Sequence, residues 1–167
     1  MHKDEAVCAK KYENLSSHRT TYLERAREAA KLTIPSLVLE EGHTSSSKLY
    51  TPYQGVGARG VNNLASKLLL SLLPPNAPFF AMRLDDFTIQ ELAQTEGARA
   101  TVDEALNKYE RAVMTEIENS GMRSPIFEAL KQLIVAGNVL LYLPPEGGAR
   151  VFPLSRYVVK RDPMGEV

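Results

Sequence analysis

The sequence predicts an α+β fold that is mainly helical, with a few short antiparallel strands toward the C-terminal end. Apolar residues recur at helical spacing through most of the chain up to Gly137. After that point, prolines and glycines separate short runs that are rich in Val, Leu and Tyr, which is typical of strands. The chain has 167 residues, which is enough for one domain with a hydrophobic core.

The N-terminal region, about residues 3–32, is predicted to be helical with a break near Ser16 and Ser17. Pro35 ends it, because the residue before a proline avoids the helical conformation. The polar residues 40–47 are expected to form a loop. The apolar stripe of this region consists of Cys8, Tyr12, Leu15, Tyr22, Leu23, Ala26, Ala29 and Ala30.

The strongest helical pattern comes next and ends at Pro74 and Pro75. Its apolar residues follow the spacing i, i+3, i+4, i+7, i+8 and i+11, which predicts one wide buried stripe. The stripe consists of Val61, Leu64, Ala65, Leu68, Leu69 and Leu72, and Leu70 and Leu73 broaden it. Residues 79–84 are then predicted to form a short strand.

Two further helices are predicted in the second half of the chain. The first begins at a capping box of Thr101 and Glu104 and ends at Gly121. Its expected buried stripe is Val102, Leu106, Tyr109, Val113 and Ile117. The second has Ser124 as N-cap and Pro125 at its first position, and it ends at Gly137. It is expected to bury Phe127, Leu130 and Ile134.

Short strands are predicted at residues 139–143, 149–152 and 157–160. A turn over 144–148 separates the first two, and residues 162–165 have the composition of a hairpin turn. The sequence stops at Val167, where the strand after that turn has barely begun. An unpaired strand is a poor end for a domain, so we expect the chain to be a fragment or its sheet to be incomplete.

Composition limits the classes of function. Lys and Arg number 20, and Asp and Glu also number 20, so the formal charge is +0. This balance argues against a strongly basic nucleic-acid-binding module. The single Cys8 cannot form an intrachain disulfide and fits a reducing compartment. We also expect no signal peptide, because the N-terminus is charged, and no membrane span, because the longest apolar run is short.

Gly55, Gly57 and Gly60 form the pattern G-x-G-x-x-G, which dinucleotide-binding folds use to hold a pyrophosphate. That use requires a buried parallel strand before the first glycine. Here a polar run and Pro52 precede it, which disfavours a strand. A nucleotide-binding enzyme using the Gly55–Gly60 loop therefore stays as a disfavoured alternative. We expect the glycines to make backbone turns or to allow another element to approach closely.

No catalytic, cofactor-binding or metal-binding residues are predicted, and no cofactor. His2, His18 and His43 are scattered along the sequence, and Cys8 is expected to be a small buried hydrophobe. Asp85 and Asp86 could bind a hard cation, although a solvated turn is the commoner explanation for such a pair. Arg59 lies among the glycines and could contact a phosphate. We favour instead a role in capping, in ion pairing or in contact with another subunit.

Four stretches of the sequence resemble the head-to-tail connector, or portal, family of T7-like short-tailed bacteriophages. They occur in the order and with the spacing of that family and extend over nearly the whole chain. The turns and loops at 41–47, 74–78 and 145–148 depart from the family pattern, as loops commonly do. The stretches are residues 33–37 (TIPSL), 51–68 (TPYQGVGARGVNNLASKL), 127–144 (FEALKQLIVAGNVLLYLP) and 157–162 (YVVKRD).

The resemblance implies a structural, non-enzymatic subunit of a ring at one capsid vertex, commonly with twelve copies. Such a ring lets double-stranded DNA pass during packaging and ejection. Its implied partners are other copies of itself, scaffolding and capsid proteins, terminase, and tail adaptor and internal virion proteins, with no membrane. It would assemble in the host cytoplasm and end in the virion.

Residues 1–167 would be the wing-type N-terminal portion of such a protein, and the stem, clip and channel loop would follow Val167. An alternative to the portal function is that the chain is a free-standing helical scaffold or adaptor domain. The incomplete hairpin at the end of the sequence argues against that alternative.

Overall fold

The computed structural model describes residues 3–40, 42–44, 46–75, 77–85, 88–89, 98–145, 147–160, 162 and 164. It confirms the α+β class, with helices dominant and a small antiparallel sheet toward the C-terminal end. The elements in chain order are α1 (Lys3–His18), α2 (Thr20–Leu32), α3 (Val56–Leu72), α4 (Ala98–Asn119), α5 (Arg123–Ala136), β1 (Val139–Tyr142) and β2 (Arg150–Pro153). Short 3-10 turns occupy Pro35–Leu37 and Leu154–Arg156.

The predicted break in the N-terminal helical region is confirmed and lies at Arg19, between α1 and α2. Helix α2 ends at Leu32, where the amide of Thr33 donates to the carbonyl oxygen of Ala30 at 3.1 Å. Pro35 then begins a 3-10 turn, as its fixed backbone angle allows. The described part of the predicted loop at 40–47 contains neither helix nor strand.

The core lies where α2, α3 and α5 meet. Helix α5 contacts α2, α3 and both strands, so it is the central element of the described fold. Burial of apolar surface between these helices is the main force that holds them together. The core cluster consists of Leu23, Ala26, Ala30, Leu37, Val38, Val61, Val135 and Leu154.

The sheet is a two-stranded antiparallel hairpin in which Val139 pairs with Pro153 and Tyr142 with Arg150. Gly137 ends α5 with a φ of 71°, a left-handed conformation that glycine adopts without strain, and the chain then turns into β1. The predicted strands at 139–143 and 149–152 are therefore confirmed to within a residue or two.

The predicted strands at 79–84 and 157–160 are wrong. Both segments lack a ladder partner in the described part of the chain, although the backbone at Tyr157 is extended. Strand propensity describes a half-buried pleated surface, and it has no effect without a neighbouring strand. In the first segment, the amide of Met82 donates instead to the Glu110 carboxylate at 2.6 Å. Most of the predicted turn at 162–165 lies outside the described residues.

Two predicted helix starts are corrected. Helix α4 already includes Ala98, so Thr101 lies inside the helix and does not cap it. Helix α5 begins at Arg123 with Met122 in the N-cap position, so Ser124 is helical too. In both cases the helix begins before the residues that have the capping pattern, so these residues lie within its first turns.

Several residues that were predicted to be buried are exposed. Helix α4 has no buried residue, and Leu64 and Leu72 of α3 are about half exposed. Cys8 is also exposed, so its prediction as a buried hydrophobe is wrong. The apolar periodicity is real in these helices, but the described part of the chain supplies no element that covers these faces.

Candidate functional site

The glycine-rich segment forms the start of α3. Gly55 occupies the N-cap position, and the amide of Val56 donates to the side-chain oxygen of Gln54 at 2.6 Å. The amide of Arg59 donates to the carbonyl oxygen of Gly55 at 3.0 Å, which closes the first helical turn. Residues 46–55 contain no strand. The setting that dinucleotide binding requires is therefore missing, and the Val56 amide that a phosphate would use is already engaged.

Gly57 allows α3 to touch the end of α2. A Cβ atom at this position would overlap the carbonyl oxygen of Leu32 and lie 3.2 Å from the Cα of Thr33. At Gly55 and Gly60, by contrast, an added Cβ would have no atom within 4 Å. The expectation that a glycine permits close approach is thus confirmed at Gly57, where the neighbour is backbone and cannot move aside cheaply.

Arg59 points away from this contact. It lies on the exposed side of α3, as does Lys67 two turns later. Within the described part of the chain, neither side chain has a hydrogen bond or ion pair, so Arg59 neither caps a helix nor pairs with a carboxylate there. Of the roles considered for Arg59, contact with another molecule is the one that this geometry leaves open.

The other candidate residues do not come together. His18, His43 and Cys8 lie apart, and the described residues contain no group of three His, Cys, Asp or Glu side chains that could hold a metal ion. The Asp85 carboxylate accepts a hydrogen bond from the Thr88 hydroxyl, as in a local turn. His2 and Asp86 lie outside the described residues.

A concave region of about 820 Å³ lies between the α1–α2 junction and residues 154–160. Arg19 crosses it: its Nη1 atom donates to the carbonyl oxygen of Tyr157 at 2.6 Å and to that of Leu154 at 3.3 Å. These bonds fix the N-terminal helices to the C-terminal segment. Burial raises the pKa of the Tyr157 phenol above its ordinary value. The region is therefore a joint of the fold, and its arginine is already engaged by backbone.

Sequence reasoning missed three polar residues that hold the elements together, namely Arg19, Gln132 and Arg123. The Arg123 guanidinium donates from Nη1 to the carbonyl oxygen of Leu73 at 2.6 Å, at the C-terminal end of α3. Each of these side chains contacts a backbone carbonyl far away in sequence. No spacing pattern reports such a contact, so no signal in the sequence alone could have identified it.

The remaining described surface includes faces of helices and of the hairpin. Large apolar side chains are exposed on α3 and α4 and on strand β1 of the hairpin. Within the described ranges, no helix is both long and apolar enough to cross a membrane. Exposed apolar helix faces are a common place of contact with other protein segments.

The sequence of the chain is similar to a family of phage proteins and to several of its members. The profile of a family described as bacteriophage head to tail connecting protein matches residues 5–167. The portal protein of Escherichia phage T7 is 45% identical over 161 residues, which are 93% of this chain and 30% of that protein. The portal protein of Enterobacteria phage T3 is 45% identical over 160 residues, again 93% of this chain and 30% of that protein.

A more distant relative, the portal protein of Enterobacteria phage SP6, is 36% identical over 158 residues, which are 95% of this chain and 30% of that protein. The chain thus spans about 30% of the length of these curated relatives. They are structural proteins and not enzymes, as the sequence led us to expect. With the family profile matched from residue 5 to residue 167, this chain belongs to the bacteriophage head-to-tail connecting proteins.

Proposed function

We propose that this chain is part of a structural subunit of a ring at one vertex of a phage capsid, through which double-stranded DNA enters and leaves. The observation that carries the proposal is the similarity to portal proteins over 93% of the chain. The ring would assemble from copies of one chain, about twelve of them, in the host cytoplasm and remain in the virion.

The charge balance supports a conduit that does not grip DNA. A protein that neutralises phosphates with Lys or Arg gains affinity with each contact, and tight binding would oppose movement of the duplex. This chain has 20 basic and 20 acidic residues and a formal charge of +0. We assign it to the outer, wing-type part of the subunit, where contact with protein matters more than contact with DNA.

The exposed apolar helix faces support protein partners. Such faces on α3 and α4 would be covered by neighbouring copies or by other proteins of the particle. The partners we propose are the scaffolding and capsid proteins during shell assembly, terminase during packaging, and the tail adaptor and internal virion proteins afterwards. No catalytic step is assigned to the chain itself.

Particles made without the protein test this function. Deletion of its gene from the phage should leave shells that contain no DNA, and supply of the intact gene in trans should restore filled heads. The measurement is the DNA content of purified particles. Filled and infectious particles in the absence of the gene would contradict the proposal.

A further inference from the structure

Helix α3 has an outer face that nothing in the described part of the chain covers. Arg59, Asn63, Lys67 and Leu70 follow one another at i, i+4, i+8 and i+11, so they form one line along the helix. All four are exposed, and Leu70 is 55% exposed. Because Val61 and Ala65 bury the opposite side of α3 in the core, this line points away from the fold.

Helix α4 has a similar uncovered line. Tyr109, Val113 and Glu116 occur at i, i+4 and i+7, and Tyr109 is 65% and Val113 37% exposed. Helix α4 runs for 22 residues and has no buried side chain. An amphipathic helix of this length gains most of its stability by packing its apolar face, so an uncovered face indicates a missing partner.

The charges on the two lines are opposite. The α3 sequence contains two basic residues, Arg59 and Lys67, and no acidic residue, and neither cation has an ion pair among the described residues. On α4, Arg99 pairs with Asp103 at 3.9 Å and Lys108 with Glu104 at 3.1 Å, so these charges are matched locally. Glu116 has no ion pair in the described part of the chain.

We propose that the α3 line of one copy packs against the α4 line of the next copy in the ring, with Lys67 opposite Glu116 and Leu70 opposite Val113. The inference rests on the proposed ring function and names the surface that builds the ring. Because the two lines are different surfaces of one chain, the contact is heterologous, and repeated heterologous contacts that close generate a ring.

The order of residues sets the direction of the helices. Along α3 the cation Lys67 precedes the apolar Leu70 by three residues, and along α4 the apolar Val113 precedes the anion Glu116 by three residues. Both pairs match only if the two helices run antiparallel. That arrangement also places the positive end of each helix dipole beside the negative end of the other.

Charge reversal tests the contact in the protein expressed from its complete open reading frame. Glu116→Lys and Lys67→Glu each place like charges opposite each other, which costs affinity at an interface. Each variant alone should need at least about a tenfold higher subunit concentration for ring formation, followed by light scattering. Arg111→Glu is the matched control, since Arg111 lies on another face of α4, and it should assemble normally.

Mixing the two variants decides whether the contact joins different copies. In an alternating ring, the new Lys at position 116 meets the new Glu at position 67, and the unchanged Lys67 meets the unchanged Glu116. A one-to-one mixture should therefore form rings that neither variant forms alone. Circular dichroism of each variant should match that of the unaltered protein, because all three substituted side chains are exposed.

Three other outcomes would overturn the inference. If both variants assemble as readily as the unaltered protein, the surface is wrong while the ring function stands. If only the double variant within one chain restores assembly and the mixture does not, the two lines meet inside one chain. If the unaltered protein stays monomeric, the ring function itself fails, and this contact with it.

Discussion

The side-chain amide of Gln132 donates a hydrogen bond to the backbone carbonyl oxygen of Leu37, with 3.0 Å between Nε2 and O. Gln132 is only 5% exposed, and Leu37 is buried as well. The bond joins α5 to the 3-10 turn after α2, two elements that lie 95 residues apart in sequence. It supplies the Leu37 carbonyl with a donor that no other described side chain provides.

Replacement of Gln132 tests that bond. Gln132→Ala should lower the free energy of unfolding by about 2 kcal/mol, because it leaves a buried carbonyl without a donor and opens a small cavity. Urea denaturation followed by circular dichroism measures the change. Asn107→Ala removes an exposed amide from the middle of α4 and should change stability by less than about 0.5 kcal/mol. Equal effects of the two variants would show that the bond does not stabilise the fold.

Two glycines of the same helix should respond in opposite directions. Gly57→Ala forces a Cβ against the Leu32 carbonyl, so α2 and α3 must separate, and we expect a loss of at least about 2 kcal/mol. Gly60→Ala meets no atom within 4 Å and removes a flexible residue from a helix interior, so it should stabilise by about 0.5–1 kcal/mol. Thermal unfolding of the pair checks this. A stable Gly57→Ala protein would contradict the close approach of the two helices.

The Arg123 side chain should hold the C-terminal end of α3 to the start of α5. Its guanidinium donates to the carbonyl oxygens of Leu73 at 2.6 Å and Pro74 at 3.4 Å, and it lies 3.7 Å from the Glu118 carboxylate. Arg123→Ala should cost about 1–2 kcal/mol. Arg123→Lys should recover only part of this loss, since one ammonium cannot reach three acceptors arranged for a fork. The local measurement is amide hydrogen exchange at the C-terminal turn of α3. An exchange rate that is the same in Arg123→Ala as in the unaltered protein would show that Arg123 does not hold this turn.

Tyr157 should make the fold sensitive to alkali. Burial raises the pKa of its phenol in the folded state above the ordinary value of 10.0. The phenol is neutral in both states below that value, so its contribution is fully present there. It is lost as the pH rises from about 10 through the raised pKa, because the unfolded chain ionises first. Tyr157→Phe should therefore lose less stability than the unaltered protein between about pH 9 and pH 11, as measured by urea denaturation. Parallel curves for the two proteins would contradict this.

Much of the fold could be predicted because it is local. Gly137 ends α5 through its left-handed backbone conformation, and Pro35 begins the 3-10 turn that follows α2. The spacing of Leu23, Ala26 and Ala30 identifies the buried side of α2. The hairpin strands were predicted because turn residues separate two apolar runs. These features depend on a few neighbouring residues, so the sequence displays them directly.

The remainder depends on contacts between distant parts of the chain. Among the described residues, 157–160 have strand composition but no partner strand, and Tyr109 and Val113 have core spacing but no covering element. At the candidate site, the expectation that one of the glycines permits a close approach is confirmed at Gly57. Only the position of Leu32 distinguishes Gly57 from Gly60, so the sequence alone does not indicate which glycine is needed for packing.

The assembly state of the protein made from its complete open reading frame tests the central claim most directly. Native mass spectrometry at micromolar concentration should show one closed species of about twelve copies, together with little free subunit. Arg59→Ala should weaken this assembly more than it weakens the affinity for double-stranded DNA. A protein that remains monomeric at every concentration, without the proposed ring, would contradict the account.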